Sequence, residues 1–448
     1  MPTSLLWFRR DLRLGDHPAL HEAAGRGDVL PLFVIDPELW HPAGAAKLAW
    51  LAATLRSLDE SLGGRLVIRL GDPAEVVPRV AREVGADSVH VSRECEPGGL
   101  ARDRRVVAAL DEIGVEGVAT GSPFAVEPGT LTTKGGTPFK VFTPFASAWR
   151  DHGWEAPLPV PDDVRWAEAD SDGRVGAMLD KALRECPIDL PPAGEGAARA
   201  RWERFVEEAL QDYATDRDRP DLEGTSRMSA DLHLGVVHPR QLLADLDGRH
   251  GRGAESFRTE LAWREFYAAV ILAHPDSAWQ DLRPLNLPYD EPEDAIAAWR
   301  EGRTGYPFVD AGMRQLLAEG WMHNRVRMVT ASFLTKDLHV WWPTGAAHFL
   351  NHLLDGDLAS NNHGWQWVAG TGTDAAPYFR VFNPVTQGQR FDPDGAYVRR
   401  WVPELAHLDG AAAHEPWKHD DGYAHDYPRR IVDHAEERRV TLDRYESR

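Results

Sequence analysis

Glu260, Trp263, Arg264 and Tyr267 fall at i, i+3, i+4 and i+7, so one face of a helix would show a carboxylate, an indole, a guanidinium and a phenol. Phe257, Leu261, Ala268 and Ile271 keep the opposite face for packing. The polar-aromatic face is either ordinary solvent exposure or a platform where a flat ring stacks beside a hydrogen-bond acceptor. A second group, GTSRMS at Gly224–Ser229, sets three hydroxyls and an arginine just before apolar helical sequence. Such a start either caps a helix or receives a phosphate on hydroxyls and unpaired backbone N–H groups. The third, WMHNRVRM at Trp321–Met328, gathers His323, Asn324, Arg325 and Arg327, and a buried Arg327 would need a partner such as Asp355 or Asp357. The fourth, Leu353–Phe382, is rich in Gly, Asn and Asp, and its apolar residues hold neither a helical nor a strand period for long. It reads as loop, yet it carries Trp365, Trp367, Tyr378 and Phe379, which are costly to leave in water. It is either an irregular link between core helices or a wall around something flat.

Other patterns are weaker. His348 and His352 have the i, i+4 spacing of a helical metal pair, but no glutamate stands between them, and they read as packing histidines with no metal expected. GTGTD at Gly370–Asp374 lacks the preceding strand and following helix of a dinucleotide loop. Neither a GxxxxGK[ST] loop nor a Gly-x-Ser-x-Gly elbow is present.

The elements that must position these groups divide the chain. Short apolar runs (SLLWF, VLPLFVI, RLVIRL, SVHVS, VEGVAT) alternate with helical patterns over residues 1–125. That alternation predicts a Rossmann-like parallel α/β domain, with ligands at the carboxyl ends of its strands. No glycine fingerprint follows the first strand, which argues against an ordinary dinucleotide site. Residues 126–196 are proline-punctuated and predict a linker ordered in part by Phe139, Phe142, Phe145 and Trp149. From 197 to 448 helical periods dominate and predict an all-α domain.

A chain of 448 residues suits two or three domains. No apolar run is long enough to span a bilayer, and the start, MPTSLLWFRRDLRL, has no secretory apolar core. Two cysteines, Cys95 and Cys186, exclude a disulfide framework or a four-thiolate cluster within the chain. A reduced, cytoplasmic setting is the expectation. A formal charge of −20 argues against a protein that coats nucleic acid. The acid excess is not uniform, however. Between Trp321 and Arg400 seven Lys or Arg face six Asp, a net +1, so this window can still meet an anion. Seventeen tryptophans are many for this length and hint at stacking or redox work.

In this order, LLWFRRDLRLGDHPAL, EGTSRMS, TELAWREFY, TGYPFVDAGMRQL, WMHNRVRM and DGDLASNNHGWQW followed eight residues later by APYFRVFNP resemble the photolyase/cryptochrome family, and within it the bacterial class I cyclobutane pyrimidine dimer photolyases. The resemblance runs to about Pro428 and is weakest in the linker. It implies an antenna α/β domain, a helical domain holding FAD, and light-driven repair of UV-damaged DNA by a monomer away from membranes. By the resemblance, Tyr213, Thr225, Ser226, Arg227, Met228 and Ser229 surround the flavin phosphates and ribityl chain, and Asn324, Arg327, Asp355, Asp357 and Asn361 surround its ring. Substrate contacts fall on Arg217, Glu260, Trp263, Asn324, Arg325, Met328 and Trp367. A dimer flipped out of the duplex is stacked on Trp263 and Trp367 and hydrogen-bonded by Glu260 and Asn324. Photoreduction is implied to run through Trp365, Trp342 and Trp299, with Trp341 a competitor for the middle place.

The stretch ECEPGGLARDR (Glu94–Arg104) resembles the deazaflavin-type antenna pattern, favouring an 8-hydroxy-deazaflavin over methenyltetrahydrofolate, with Phe33, Asp36, Lys47 and Glu96 as contacts. The alternative reading is a cryptochrome photoreceptor that binds FAD and repairs nothing. Repair of (6-4) photoproducts is disfavoured, because those enzymes carry histidines where Asn324 and Met328 stand.

Overall fold

The computed structural model describes residues 2–375, 377 and 380–447. Tyr378 and Phe379, two aromatics of the fourth stretch, lie outside the described residues. By packing, the chain forms two compact units, Met1–Glu208 with Ser226–Pro275, and Ala209–Thr225 with Asp276–Arg448.

In the first unit the apolar runs become β1 (Thr3–Phe8), β2 (Asp28–Ile35), β3 (Val67–Leu70), β4 (Ala86–Val91) and β5 (Glu116–Ala119). They form one parallel sheet in the order β3-β2-β1-β4-β5. β1 and β2 read as unbroken apolar runs because both of their faces are covered, whereas the edge strand β5 is largely exposed. Leu6, Phe8 and Phe33 pack into one core cluster, and Leu5, Trp7 and Leu32 into the other. Three of the following helices open on a polar side chain and a proline: His17-Pro18, Asp36-Pro37 and Asp72-Pro73. In each, the side chain accepts a first-turn N–H while proline occupies a position whose missing N–H costs nothing.

The predicted linker contains α1 (Phe142–His152), which buries Phe142, Phe145 and Trp149. It packs on α2 (Arg252–Ala273), the helix that carries Glu260 and Trp263. The segment bearing α2 is tied to the sheet end by polar contacts. Buried Arg13 donates to the Gly235 carbonyl at 2.9 Å, and Leu12 N–H to that of Leu234 at 3.1 Å. Buried Asp16 accepts from Arg240 Nε at 3.0 Å and lies 2.9 Å from His238 Nδ1.

The second unit is helical. It includes α3 (Glu293–Arg300), α4 (Asn324–Ser332), α5 (Trp342–His352) and α6 (Leu358–Ala369) around a core holding Trp299, Phe333, Trp342, Phe349 and Trp365. Here the reading of Leu353–Phe382 as irregular needs correction, since its middle is α6. The helix is buried on most sides, with Asn362, His363 and Gln366 inside as well as Trp365 and Val368, so no apolar stripe marks it. Its interior amides are satisfied locally. Asn362 donates to the Ala278 carbonyl, and Gln366 donates to that of Ser277 at 2.8 Å while accepting from Leu282 N–H at 2.9 Å. Among the described residues, no helix is long and apolar enough to cross a membrane.

Candidate functional site

The turn before α6 concentrates charge in a buried place. Asp355 and Asp357 are 8% and 7% exposed. Asp357 is the N-cap of α6, its Oδ1 accepting from Ser360 N–H at 2.8 Å. Asp355 accepts both terminal nitrogens of Arg327, Nη1 to Oδ1 at 3.1 Å and Nη2 to Oδ2 at 2.8 Å. Arg327 Nε donates to the Met322 carbonyl at 2.7 Å, so the guanidinium is fixed in plane as well as paired. One turn into α6, Asn361 Nδ2 donates to the Ala346 carbonyl of α5 at 3.1 Å and to Asn362 Oδ1 at 2.8 Å. The sequence thus places its ion pair correctly. A neutralised pair and an oriented amide beside an aromatic core suit the polar edge of a flat heteroaromatic ring, which fits a flavin.

Around this centre, in the same unit, Asn324 is exposed at the start of α4. Arg325 pairs with Asp218 at 2.7 Å, its guanidinium lies 4.5 Å from the Phe391 ring, and its Nη1 is 3.7 Å from Met328 sulfur. Arg217 sits over the ring of buried Tyr213 at 5.6 Å. Trp367 is half-buried, and Thr225 is the last residue of the short segment it shares with Tyr213 and Arg217.

The first unit carries the rest. Ser226 Oγ accepts from Met228 N–H at 3.3 Å, and Arg227 holds φ +51°, the left-handed region rarely used by a side chain that is not Gly, Asn or Asp. The helix Ser229–Leu234 follows with no side-chain cap of its own, so the ordinary-cap reading of GTSRMS does not describe it. Met228 is buried and Ser229 exposed. On α2, Glu260 and Trp263 are both half-buried. The Trp263 indole lies flat on Phe142 of α1, centroids 3.6 Å apart and planes 7° apart. Two residues on, buried Glu265 accepts from Trp149 Nε1 at 2.6 Å, Ala125 N–H at 2.6 Å and Val126 N–H at 3.1 Å. Burial pushes its carboxyl up to about 7, against the lowering effect of those three donors.

The three tryptophans proposed for photoreduction all belong to the second core, but they are not equivalent. Trp299 and Trp365 meet edge to face at 6.0 Å, with Phe349 against both. Trp299 is fully buried and neighbours His348, whose pKa burial drives down to about 3. Trp342 Nε1 donates to Asp281 Oδ1 at 2.7 Å, and Trp341 Nε1 to the same oxygen at 3.1 Å. Trp341 stands 6.4 Å from Trp342 and 6.4 Å from Tyr289, and Tyr289 is exposed. Nothing periodic in the sequence links Tyr289 and Asp281 to the tryptophan pair, and a loop brings them there. Gly345 of α5 makes room for Trp365, because a Cβ there would lie 2.1 Å from its ring.

Of the antenna candidates, Phe33 is buried near the end of β2, and Asp36 just beyond it caps the next helix through Glu38 N–H at 2.9 Å. Glu96 pairs with Arg10 next to the end of β1, and Lys47 lies on the helix Ala45–Ser61. Beside Arg10, Arg9 pairs with Asp103, and both Arg9 and Arg102 lie over Trp7. The order of strands reverses between β1 and β4, so Arg9 and Arg10 stand at the switch point where such sheets take ligands.

Two family models match the chain: DNA photolyase over residues 4–162, and the FAD binding domain of DNA photolyase over 257–447. A deoxyribodipyrimidine photo-lyase of Streptomyces griseus is 43% identical, the match covering 98% of each chain. Among solved structures, a bacterial class III photolyase from Agrobacterium tumefaciens superposes with TM-score 0.93 at 35% identity, over 100% of this chain and 98% of the other. An archaeal photolyase from Sulfolobus tokodaii, solved with two FAD molecules, gives TM-score 0.88 at 29% identity over the whole of both chains.

Proposed function

The chain belongs to the photolyase/cryptochrome family, and from that premise we propose that it is a deoxyribodipyrimidine photo-lyase, an FAD enzyme that repairs UV-damaged DNA under light. The observation that carries this reading is the pairing of half-buried Arg327 with buried Asp355 at the foot of α6, inside the segment that matches the FAD-binding family model. When bound and reduced, the flavin would supply the light-driven electron chemistry that splits a pyrimidine dimer without net redox change.

The chain's own residues bind, orient and exclude water. Arg327 and Asp355 hold a fixed dipole at the ring edge, Asn361 presents an amide to it, and Asp357 keeps the turn closed. Tyr213, Thr225, Ser226, Arg227, Met228 and Ser229 serve the phosphates and ribityl chain, where the unusual Arg227 backbone turns the chain sharply. Asn324 is also assigned to the ring. For the substrate, Trp263 and Trp367 offer stacking faces, Glu260 and Asn324 hydrogen-bond the carbonyl edge, and Arg217, Arg325 and Met328 complete the contacts. Trp365, Trp342 and Trp299 form the proposed electron supply. Since Trp299 is buried, entry from solution falls to exposed Tyr289 through Trp341.

The second chromophore is proposed as an 8-hydroxy-deazaflavin at Phe33, Asp36, Lys47 and Glu96, and the working state as a cytoplasmic monomer. The deciding experiment illuminates flavin-loaded, reduced protein with blue light on DNA carrying cyclobutane dimers. Loss of dimers only in the light supports the reading. Intact dimers after illumination of fully reduced protein would overturn it in favour of a receptor.

A further inference from the structure

We propose that Phe142, in the stretch joining the sheet to the helical part of the chain, is a positioning residue for lesion binding: it backs the Trp263 indole so that one defined face is left for the damaged base. The inference rests on Trp263 serving as a stacking surface. Phe142 is the first residue of α1 and is buried. Its ring is nearly parallel to the indole, 7° between planes, and the 3.6 Å centroid separation sets the phenyl group directly against one face of Trp263. A flat ring has two faces, so a base can stack only on the other.

The remaining neighbours hold the pair from the sides. Phe266 meets both Phe142 and Trp263 edge-on, at 5.8 Å and 68° and at 5.8 Å and 74°. Tyr267 lies 5.5 Å from the indole on the same helix. The support is itself anchored, because Trp149 at the other end of α1 donates to Glu265 of α2. Phe142 is thus fixed by its helix as well as by its ring contacts. Without it the indole gains rotational freedom and a wetted second face. Both lower the probability that Trp263 waits in the orientation a flipped-out base needs.

The test uses full-length, flavin-loaded protein in the dark and measures dissociation constants for an oligonucleotide with a single thymine dimer and for its undamaged twin. Phe142→Ala is expected to weaken dimer binding about three- to tenfold, the value of an aromatic pair, and to leave undamaged DNA and flavin content unchanged. Phe142→Tyr should retain wild-type affinity, and Phe142→Leu, which fills the space without a flat ring, should behave like Phe142→Ala and replaces it if that variant does not fold. Adding Phe142→Ala to Trp263→Ala should weaken binding no further than Trp263→Ala alone.

Wild-type dimer affinity in Phe142→Ala, where Trp263→Ala has lost it, would overturn this inference and spare the underlying reading. Additive losses, or equal losses on damaged and undamaged DNA, would overturn it too, since a general packing role gives those results. Unchanged affinity in Trp263→Ala would instead remove the stacking role on which the inference stands.

Discussion

Replacing Arg327 by methionine tests the centre of the proposed flavin site through stability alone. The substitution keeps an unbranched, flexible stem but removes the guanidinium and with it both hydrogen bonds to Asp355, whose side chain is 4% exposed. Breaking a buried pair from one side costs about 3–5 kcal/mol, because the surviving charge is left desolvated and unmatched. Arg327 is 23% exposed, and water reaching that end reduces the loss to about 2–3 kcal/mol. For a domain of this size that corresponds to a fall in melting temperature of about 5–10 °C. Differential scanning calorimetry of the purified protein reads it directly. The companion double variant Arg327→Met/Asp355→Leu removes the stranded charge and should recover more than half of the loss. A single variant that melts with the wild type, or a double variant no better than the single, would refute the argument that this pair is a buried, mutually dependent unit.

Glu265 gives a pH dependence of definite sign. Its carboxyl is raised from 4.5 to about 7, so the folded chain takes up a proton that the unfolded chain does not, and stability falls as pH rises through that window. Asp231, Asp337 and Asp392, raised to about 6, act lower down. Between pH 6 and 7.5 the wild type should therefore lose about 1 kcal/mol more than Glu265→Gln, measured as the difference between their denaturation curves; parallel curves would sink the assignment. Gly345→Ala places a methyl group against the Trp365 ring and should cost about 1–3 kcal/mol by overpacking while shifting the Trp365 fluorescence, and an unchanged melt would show that α5 can yield. Trp342→Phe should slow light-driven flavin reduction, followed by absorbance, with flavin content unaltered; wild-type rates in that variant would exclude Trp342 from the electron route.

How much of this could be read from the chain depends on what surrounds each element. β1 and β2 were legible because strands covered on both faces need uninterrupted apolar runs, and Ser4–Phe8 and Val29–Ile35 are such runs; β3, β4 and β5 were legible from their alternation with helical patterns. The Arg327–Asp355 pair was legible as a charge that needs a partner. α6 was hidden because burial on most sides erases the period that marks a helix, and its Asn362 and Gln366 answer to carbonyls near residue 277 that no local rule connects. The shared acceptor of Trp341 and Trp342, Asp281, was hidden for the same reason. Phe142 was visible only as an aromatic that would order a proline-rich stretch, since its meeting with Trp263 spans more than a hundred residues. Contacts that distant are decided by the packing of whole helices.

The path of the backbone between the two packed units bears on how the protein is made. Residues 226–275 belong with the sheet, although 209–225 belong with the helices that follow. During synthesis the five strands are complete by Ala119, yet the Gly235 carbonyl that Arg13 needs and the Glu265 carboxylate that Trp149 needs come much later. A nascent chain therefore carries a finished sheet with an unfinished border until Pro275 has left the ribosome, and this border is the surface a chaperone would meet first. A fragment cut at Glu208 would keep that border open permanently. The N-terminal sheet is thus contiguous in space but not separable in the gene.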